Sequence, residues 1–284
     1  MESAQQVLVS GVLAGLEYGL AAVGLTLIFG LTRVLNLAHG AFFALGAYLT
    51  YQSTALGLPA VVGVVPAAVA GALVGGAVDR TLVRPLRTDA FGASIALFGL
   101  AIVAEEGYAL VWGAASHSVP FRLPTLLIGR IVLSEEQIIA AGLAAVAFCT
   151  IAVCMLTRPG LAFKAIAADP VVAELAGVHI GRVETATFSL ASALAAVAGS
   201  LVSPLLTISR TMGRAPLVLI LAMVAIGGPG RFWGTLGGSL LVGLTATVAG
   251  FYLAAPWPYV VILVLAAVAL VWRGRWAPGY TGRR

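Results

Sequence analysis

Residues 7–32 read VLVSGVLAGLEYGLAAVGLTLIFGLT, a continuous apolar stretch that carries a single charged residue, Glu17. A helix needs about 20 mostly apolar residues to cross the hydrocarbon core of a bilayer, and this stretch is long enough to do so. Strands of a membrane barrel would instead alternate apolar and polar residues over about ten positions. The stretch therefore predicts a transmembrane helix and, with the similar stretches that follow it, an all-α fold.

The composition of the whole chain points the same way. Of the 284 residues, 61% are hydrophobic and 10% are charged, whereas soluble domains carry about 25% charged residues. So few charges cannot cover a water-soluble surface. The net charge of +5 is therefore better explained by orientation in a membrane than by binding to nucleic acid. We predict a single transmembrane domain over residues 1–284.

Nine apolar stretches are candidates for membrane spans. They cover residues 7–32, 37–56, 58–79, 91–112, 137–156, 184–207, 215–230, 234–255 and 257–272. The second and third stretches are nearly continuous, and the seventh and ninth are short. We therefore expect a polytopic helix bundle of about 8–10 spans.

The basic residues predict the orientation of this bundle, because cytoplasmic loops of membrane proteins are enriched in Arg and Lys. With the N-terminus outside, twelve basic residues fall inside: Arg33, Arg80, Arg84, Arg87, Arg158, Lys164, Arg182, Arg231, Arg273, Arg275, Arg283 and Arg284. Four fall outside: Arg122, Arg130, Arg210 and Arg214. We therefore expect the N-terminus outside, the C-terminus inside and an odd number of spans.

Four polar residues in or between the apolar stretches are candidates for a solute pathway: Glu17, Asn36, His39 and Glu105. A charge at the bilayer centre costs at least about 2.5–3.5 kcal/mol, so such a residue tends to face a cavity or a partner. Glu17 could equally be hydrogen-bonded at a helix interface, and Asn36 and His39 could cap a short turn. Glu105 is followed by Glu106, and since neighbouring helix positions point about 100° apart, both cannot face one cavity squarely.

Glycines recur every fourth residue at Gly11, Gly15 and Gly19, and again in the pairs Gly71–Gly75 and Gly234–Gly238. Small residues at this spacing let helix backbones approach closely in a membrane, so we expect a tight bundle. Residues 226–238 hold six glycines and one proline, which cannot sustain a regular helix. This segment is either a cytoplasmic hairpin turn or broken backbone that faces a cavity.

The connection 157–183 predicts two short helices. The first fits residues 161–168. Asp169 then serves as the N-cap and Pro170 as the first position of the second helix, which Gly177 ends. The apolar faces of these helices have no partner within so short a connection, so they either dock on another protein or fold back on the bundle.

Four blocks of sequence resemble a known family. They are GLAAVGLTLIFGLTRVLNLAHG at 19–40, RPLR at 84–87, RPGLAFKAIAAD at 158–169 with AELAG at 173–177, and AIGGPGRFWGTLGG at 225–238. The blocks stand in family order and cover nearly the whole chain. Together they resemble the branched-chain amino-acid permeases, which are membrane subunits of ATP-binding-cassette importers.

The resemblance implies a complex of two permease subunits, identical or related, with two cytoplasmic ATPases and an external solute-binding protein. This chain would form the path for branched-chain or other small amino acids across the inner membrane. The resemblance also implies that the connection 157–183 docks on the ATPase, with these residues at the contact: Arg158, Lys164, Asp169, Glu174, Leu175 and Gly177. The chain has no Gly-Lys pair and hence no Walker phosphate loop, so a partner must bind ATP. We expect no catalytic residue, cofactor or metal in this chain.

The sequence departs from the family pattern at three places. Ala41 stands where an acidic residue often follows the His-Gly pair, and charged residues stand at Glu17 and at Glu105–Glu106. These departures leave urea, amides or aromatic acids as alternative substrates, because family members are thought to move them as well.

Two other hypotheses compete with the permease. A self-sufficient secondary transporter would use Glu17 or Glu105 as a proton carrier. An intramembrane enzyme is disfavoured, because the sequence has no His-Glu-x-x-His, Gly-x-Ser-x-Gly or Gly-x-Gly-Asp motif.

Overall fold

The helices of the protein follow the predicted spans. A computed structural model describes residues 4–120, 125–128, 131–254 and 257–276. Within these ranges the α-helices are α1 Ala4–Thr32, α2 His39–Ala55, α3 Val64–Val78, α4 Ala90–Trp112, α5 Glu135–Cys154, α6 Arg158–Ala168, α7 Pro170–Leu175, α8 Ile180–Val202, α9 Arg214–Gly227, α10 Phe232–Tyr252 and α11 Trp257–Trp276. Each of the nine predicted spans contains one of these helices, which confirms the polytopic all-α fold. Four arginines used to predict the orientation lie outside the described residues: Arg122, Arg130, Arg283 and Arg284.

Not all of these helices are long enough to cross a membrane. In the described part of the chain, six stretches are long and apolar enough: Ala4–Thr32, Ala60–Leu86, Ala90–Trp112, Gln137–Cys154, Ile180–Leu205 and Phe232–Tyr252. The apolar helices α9 and α11 are shorter, and α2 has 17 residues. The bundle thus combines full-length spans with helices, such as α2 and α9, that are short for a bilayer.

The bundle has two distinct ends. Thr32, Arg84 and Ile180 line one cavity, so the C-terminus of α1 and the N-terminus of α8 lie at the same end. We call this the basic end, because the arginines that follow α3 and the helices α6 and α7 are found there. α1 and α8 therefore run in opposite directions through the bundle.

The opposite end, called the hairpin end, carries a two-stranded sheet. Strand β1 (Thr125–Ile128) pairs antiparallel with β2 (Ile131–Ser134). The side chain of Gln6, in the first turn of α1, donates to the carbonyl of Val132 over 2.9 Å and so fixes the sheet beside the start of α1. The predicted spans end at residue 112 and resume at residue 137 and so leave out this hairpin, because four-residue strands are too short for a recognisable alternation.

Two long helix pairs are built on the same plan. α1 runs antiparallel to α10, with Gly15 against the backbone of Ser239, and α3 runs antiparallel to α8, with Gly71 against the backbone of Ala193. These close approaches confirm the packing role that the glycine spacing predicts. Because α1 and α8 start at opposite ends, α1–α3 and α8–α10 have the relationship of two inverted repeats.

After α1 the chain turns back into the bundle. Arg33 has a left-handed φ of 54°, and residues 33–38 then lead inward to α2. The ring nitrogen Nε2 of His39 lies 2.8 Å from the carbonyl oxygen of Ala21. Ala21 precedes the end of α1 by eleven residues, which corresponds to about 16 Å of helix. α2 therefore begins near the middle of the bundle.

α9 begins at the same depth. Gly213 is its N-cap, and residues 206–213 reach this point from the hairpin end. The backbones of Gly40 and Gly213 touch, so that a Cβ on either residue would overlap the carbonyl oxygen of the other. The N-termini of α2 and α9 thus meet inside the protein, and only glycine fits at either position.

The buried core surrounds this meeting point. Phe43 and Tyr48 of α2, Phe188 of α8 and Ile220 of α9 are fully buried. Peripheral helices instead expose large apolar side chains, such as Leu110 of α4, which is 87% exposed. Such an apolar outer surface is what a lipid environment or a membrane partner requires.

Candidate functional site

A cavity lies where α2 and α9 meet. Its volume is about 360 Å³, which is within the range of about 300–1,000 Å³ typical of small-molecule sites. It is lined by residues of α2, α4, α9 and the segments before α2 and α9: Leu37, Gly40, Ala41, Ala44, Phe98, Ala101, Ile102, Glu105, Arg210, Gly213, Arg214 and Leu217. Of the four pathway candidates from the sequence, Glu105 lines this cavity.

Two ion pairs connect α4 with the start of α9. Arg214 donates from Nε to Oε1 of Glu105 over 2.8 Å and from Nη2 to Oε2 over 2.5 Å. Arg210 donates from Nη1 to both carboxylate oxygens of Glu106, at 3.0 and 2.8 Å. Glu105 thus faces the cavity, while Glu106 points away from it toward Arg210, as expected for neighbouring helix positions.

The two pairs differ in exposure. The Glu105 side chain is 12% exposed and that of Arg214 is 67% exposed, whereas Glu106 and Arg210 are 61% and 47% exposed. Glu105 lies seven residues before the end of α4, or about 10 Å inside the hairpin end. The cavity therefore presents the largely buried carboxylate of Glu105 and the exposed guanidinium of Arg214 within the span of α4.

Asn36 and His39 support the start of α2 and do not line the cavity. Asn36 accepts a hydrogen bond from the backbone N–H of Ala38 at Oδ1, over 3.1 Å, and His39 is held by the carbonyl of Ala21. Both side chains are fully buried. Nδ2 of Asn36 and Nδ1 of His39 have no hydrogen-bond partner among the described residues. Asn36 thus caps the turn before α2, whereas the contact of His39 joins α2 to α1.

Glu17 lies apart from the cavity. It belongs to α1, is 2% exposed, and lines neither this cavity nor the one at the basic end. Glu17 is two residues from both Gly15 and Gly19, so it lies on the opposite side of α1 from the glycine face that packs on α10. The structure therefore does not bring Glu17 together with Glu105.

The connection at the basic end forms the two predicted short helices, α6 and α7. The carboxylate of Asp169 caps α7 by accepting from the backbone N–H groups of Val171 and Val172 at 2.9 and 3.1 Å. Pro170 is the first residue of α7, and Gly177 ends this segment with a φ of 85°. α6 differs from the prediction at its start, because it begins at Arg158 and not at residue 161.

One face of α6 and α7 is buried and the other is exposed. Phe163, Ile166 and Ala173 are buried, whereas Val171 and Leu175 are 65% and 84% exposed. The remaining residues predicted for the docking contact are also exposed: Arg158, Lys164 and Glu174. The segment therefore folds back on the bundle and at the same time presents an apolar outer surface.

A second cavity, of about 280 Å³, lies between this segment and the bundle. Four charged residues line it, namely Asp79, Arg84, Arg87 and Glu184. Arg87 pairs with Glu184, and the hydroxyl of Thr185 donates to Oδ2 of Asp79 over 2.5 Å. These contacts fasten the ends of α3 and α8 together.

The sequence analysis did not select four of these charged residues as site residues: Asp79, Glu184, Arg210 and Arg214. Asp79 and Glu184 stand at the edges of predicted spans, where a charged residue does not by itself indicate a site. Arg210 and Arg214 were assigned to a loop. Their spacing of four residues was an available signal, because it places both on one side of a helical turn, as the two partners of adjacent acids require.

The family model and the relatives found by sequence agree on one family. The family model described as "Branched-chain amino acid transport system / permease component" matches residues 7–271. The high-affinity branched-chain amino acid transport system permease protein LivH of Escherichia coli K12 is 27% identical over 94% of this chain and 92% of its own length. The corresponding protein BraD of Pseudomonas aeruginosa is 27% identical over 84% of each chain. Among solved structures, PsaBC from Streptococcus pneumoniae in complex with Fab aligns with a TM-score of 0.48 and 15% identity, over 96% of this chain and 92% of that chain.

Proposed function

Because this chain belongs to the family of branched-chain amino acid transport permeases, we propose that it forms the path for branched-chain or other small aliphatic amino acids in an ATP-binding-cassette importer. It is a multi-pass membrane permease, and the bacterial inner membrane is the setting of its relatives LivH and BraD. The relatives' names supply the amino-acid substrate, which stands here as part of the proposal.

The observation that carries the proposal is the meeting of two helix starts inside the bundle. The starts of α2 and α9 touch at Gly40 and Gly213, beside a cavity that three charged side chains line. In transporters, solute sites lie near the middle of the bilayer where helices are discontinuous and repeats meet. Irregular backbone at such a depth is tolerated where it is buried or lines a wet cavity.

A second permease subunit, identical or related, is the first partner we propose. Arg210, Arg214 and Glu106 are 47–67% exposed on the surface formed by α4 and the start of α9. Charged groups inside a membrane face a water-filled path or another protein in preference to lipid. A second permease packed on this surface would enclose the cavity and complete the path.

A cytoplasmic ATPase is the second partner we propose. The exposed face of α6 and α7 carries Val171 and Leu175 beside the charged residues Lys164 and Glu174. An apolar face with a polar rim is typical of a protein-binding surface. Movement of this segment would act on α3 and α8 through the second cavity and its contacts, Arg87 with Glu184 and Thr185 with Asp79.

The orientation follows from these partners. The basic end would face the cytoplasm and the ATPase, and the hairpin end would face outward and receive the external solute-binding protein. This agrees with the N-terminus outside and the C-terminus inside, as the distribution of basic residues predicts.

The proposal is tested with the complete transporter in liposomes. We expect uptake of L-leucine that requires ATP, the ATPase subunits and the external binding protein. Leu175→Asp should lower uptake more than tenfold and release the ATPase, because the new charge stands at the docking face. Leu156→Asp is the matched control, since Leu156 is 75% exposed just after α5 and lies outside α6 and α7.

The contradicting result is uptake by this chain alone, driven by a proton gradient without ATP. That result would establish the secondary transporter, and Glu17→Gln would then be expected to abolish uptake. Leu175 is a better probe than Ala173 or Gly177, because Ala173 is 2% exposed and Gly177 has a positive φ, so that bulky residues at either position would disturb the fold.

A further inference from the structure

We propose that the Glu105–Arg214 pair recognises the charged head group of an α-amino acid, while the apolar wall of the same cavity receives its aliphatic side chain. This inference rests on the proposed function and deepens it, because it assigns the substrate contacts within the membrane to this chain. Nothing in the family membership assigns either residue a role.

The geometry of the pair supports an exchange of partners. Arg214 holds Glu105 by two parallel hydrogen bonds of 2.8 and 2.5 Å, the fork that arginine forms with any carboxylate. The carboxylate of an amino acid can therefore take the place of Glu105 on Arg214. Its ammonium group then takes the place of Arg214 on Glu105, and every charge keeps a partner.

The exposure of the two side chains makes this exchange feasible. Arg214 is 67% exposed, so that a ligand can reach it, whereas Glu105 is 12% exposed and lies in the cavity wall. An accessible cation beside a sheltered anion suits a ligand whose carboxylate contacts Arg214 first and whose ammonium group then contacts Glu105. An isolated anion or cation would leave one of the two side chains without a partner, which is costly in a sheltered site.

Apart from Arg210, the rest of the cavity is apolar. Leu37, Phe98, Ile102 and Leu217 line it together with three alanines and two glycines. Such a wall stabilises an aliphatic side chain by removing it from water. A polar solute such as urea would find few hydrogen-bond partners there, so the lining favours an aliphatic amino acid over the alternative substrates considered from the sequence.

The two helix starts add to the preference for a carboxylate. The N-terminus of an α-helix carries a partial positive charge, and α2 and α9 both begin at the cavity. Their contribution is secondary, because Arg214 and Glu105 supply the full charges and the two hydrogen bonds.

The neighbouring pair provides a matched control. Glu106 stands one residue further along α4 and forms the same kind of ion pair, with Arg210, but it is 61% exposed and does not line the cavity. Glu105→Gln and Glu106→Gln therefore remove the same charge from the same helix, and only the first removes it from the cavity.

The test is equilibrium binding of radiolabelled L-leucine to the permease–ATPase complex in lipid nanodiscs, without ATP and without the external binding protein. We expect Glu105→Gln to weaken binding at least tenfold and Glu106→Gln to change it less than twofold. Two competitors then separate the head groups: 4-methylpentanoate lacks the ammonium group, and 3-methylbutylamine lacks the carboxylate.

For the unmodified complex, both competitors should bind at least tenfold more weakly than leucine. In Glu105→Gln the advantage of leucine over 4-methylpentanoate should disappear, and in Arg214→Gln its advantage over 3-methylbutylamine should disappear. A merely structural role of the pair would weaken all three ligands alike, and that result would overturn the inference.

The outcomes for the inference and for the proposed function are separable. ATP-driven uptake without measurable leucine binding to the complex, or equal effects of Glu105→Gln and Glu106→Gln, would overturn the inference and leave the function standing. Absence of ATP-driven uptake of leucine by the complete unmodified transporter would overturn the proposed function itself.

Discussion

The two inverted halves of the bundle, α1–α3 and α8–α10, contact each other through two helix pairs, α1–α10 and α3–α8, which pack alike but are joined by different side chains. The pair α1–α10 is joined by a buried contact between neutral hydroxyls, Thr26 Oγ1 and Thr235 Oγ1, at 2.7 Å. The pair α3–α8 is joined at the basic end by a carboxylate, Asp79, which accepts from the hydroxyl of Thr185 at 2.5 Å. The two helix pairs therefore share their backbone packing, but the side chains that join them differ in charge.

The same contrast holds for the two inward-turning segments. In the segment before α2, the buried side chains of Asn36 and His39 each form one bond to backbone and do not line the cavity. The segment before α9 brings the charged residues Arg210 and Arg214 to the cavity. One half therefore holds the meeting point in place, and the other half supplies the groups that contact a solute.

The largest effect is expected where the halves touch. Gly40→Val and Gly213→Val should each abolish assembly of the folded protein, because the new side chain meets backbone that cannot move aside. Overpacking a tight core typically costs about 1–3 kcal/mol and more when backbone must shift. The measurement is the yield of monodisperse protein in mild detergent.

Gly99→Val is the control for this prediction, because no atom lies within 4 Å of a Cβ built there on α4. Folded Gly40→Val protein with normal uptake would show that the two helix starts do not meet as described.

A smaller loss of stability is expected when the hydrogen bond from Thr185 to the carboxylate of Asp79, which joins α3 to α8, is removed. Thr185→Val removes the hydroxyl that donates to the buried Asp79, which is 2% exposed. Hydrogen bonds to charged groups contribute about 1.5–3 kcal/mol, so thermal unfolding should occur at a clearly lower temperature. Thr185→Ser keeps the hydroxyl and should unfold like the unmodified protein. Equal loss in the Ser and Val variants would mean that the methyl group, and not the hydrogen bond, matters.

The sequence predicted the helices well because membrane burial imposes a simple pattern. Runs of about 20 apolar residues have few alternatives to a helix in a bilayer. The short helices α6 and α7 were equally accessible, since Asp169, Pro170 and Gly177 are strong local signals for a cap, a start and an end. In each case the information lies in neighbouring residues.

The inverted repeat and the cavity could not be predicted in this way. The reciprocal contact of Gly40 with Gly213 joins residues that are far apart in the chain, and one glycine among 34 carries no mark of it. Glu105 was recognisable as a charge in a span, but its partner Arg214 was assigned to a loop because α9 is short. Pairing across the bundle depends on topology, which local patterns do not encode.

A further prediction tests whether the first half has a supporting role. His39→Leu removes the bond to the carbonyl of Ala21, and a typical hydrogen bond contributes about 0.5–1.5 kcal/mol. We expect a modest fall in the unfolding temperature. Arg214→Gln leaves the sheltered carboxylate of Glu105 without its ion-pair partner, so it should also lower that temperature, but it should in addition abolish leucine uptake. Impaired uptake in His39→Leu without any loss of stability would contradict the supporting role of the first half.

The smallest effect on stability is expected for the hydroxyl contact between Thr26 and Thr235, which joins α1 to α10. A double-mutant cycle with Thr26→Val and Thr235→Val should give a coupling of about 0.6 kcal/mol, the average for hydrogen bonds between helices in a membrane. The value is small because each hydroxyl, once its partner is lost, can still bond to a carbonyl of its own helix. Thr150→Val is the control, since the Thr150 hydroxyl is exposed and already bonds within its own helix to the carbonyl of Val146. A coupling as large as the loss in Thr185→Val would show that the hydroxyl pair stabilises the contact of α1 with α10 as strongly as the carboxylate stabilises that of α3 with α8. The chemical difference between the two helix pairs would then have no energetic consequence.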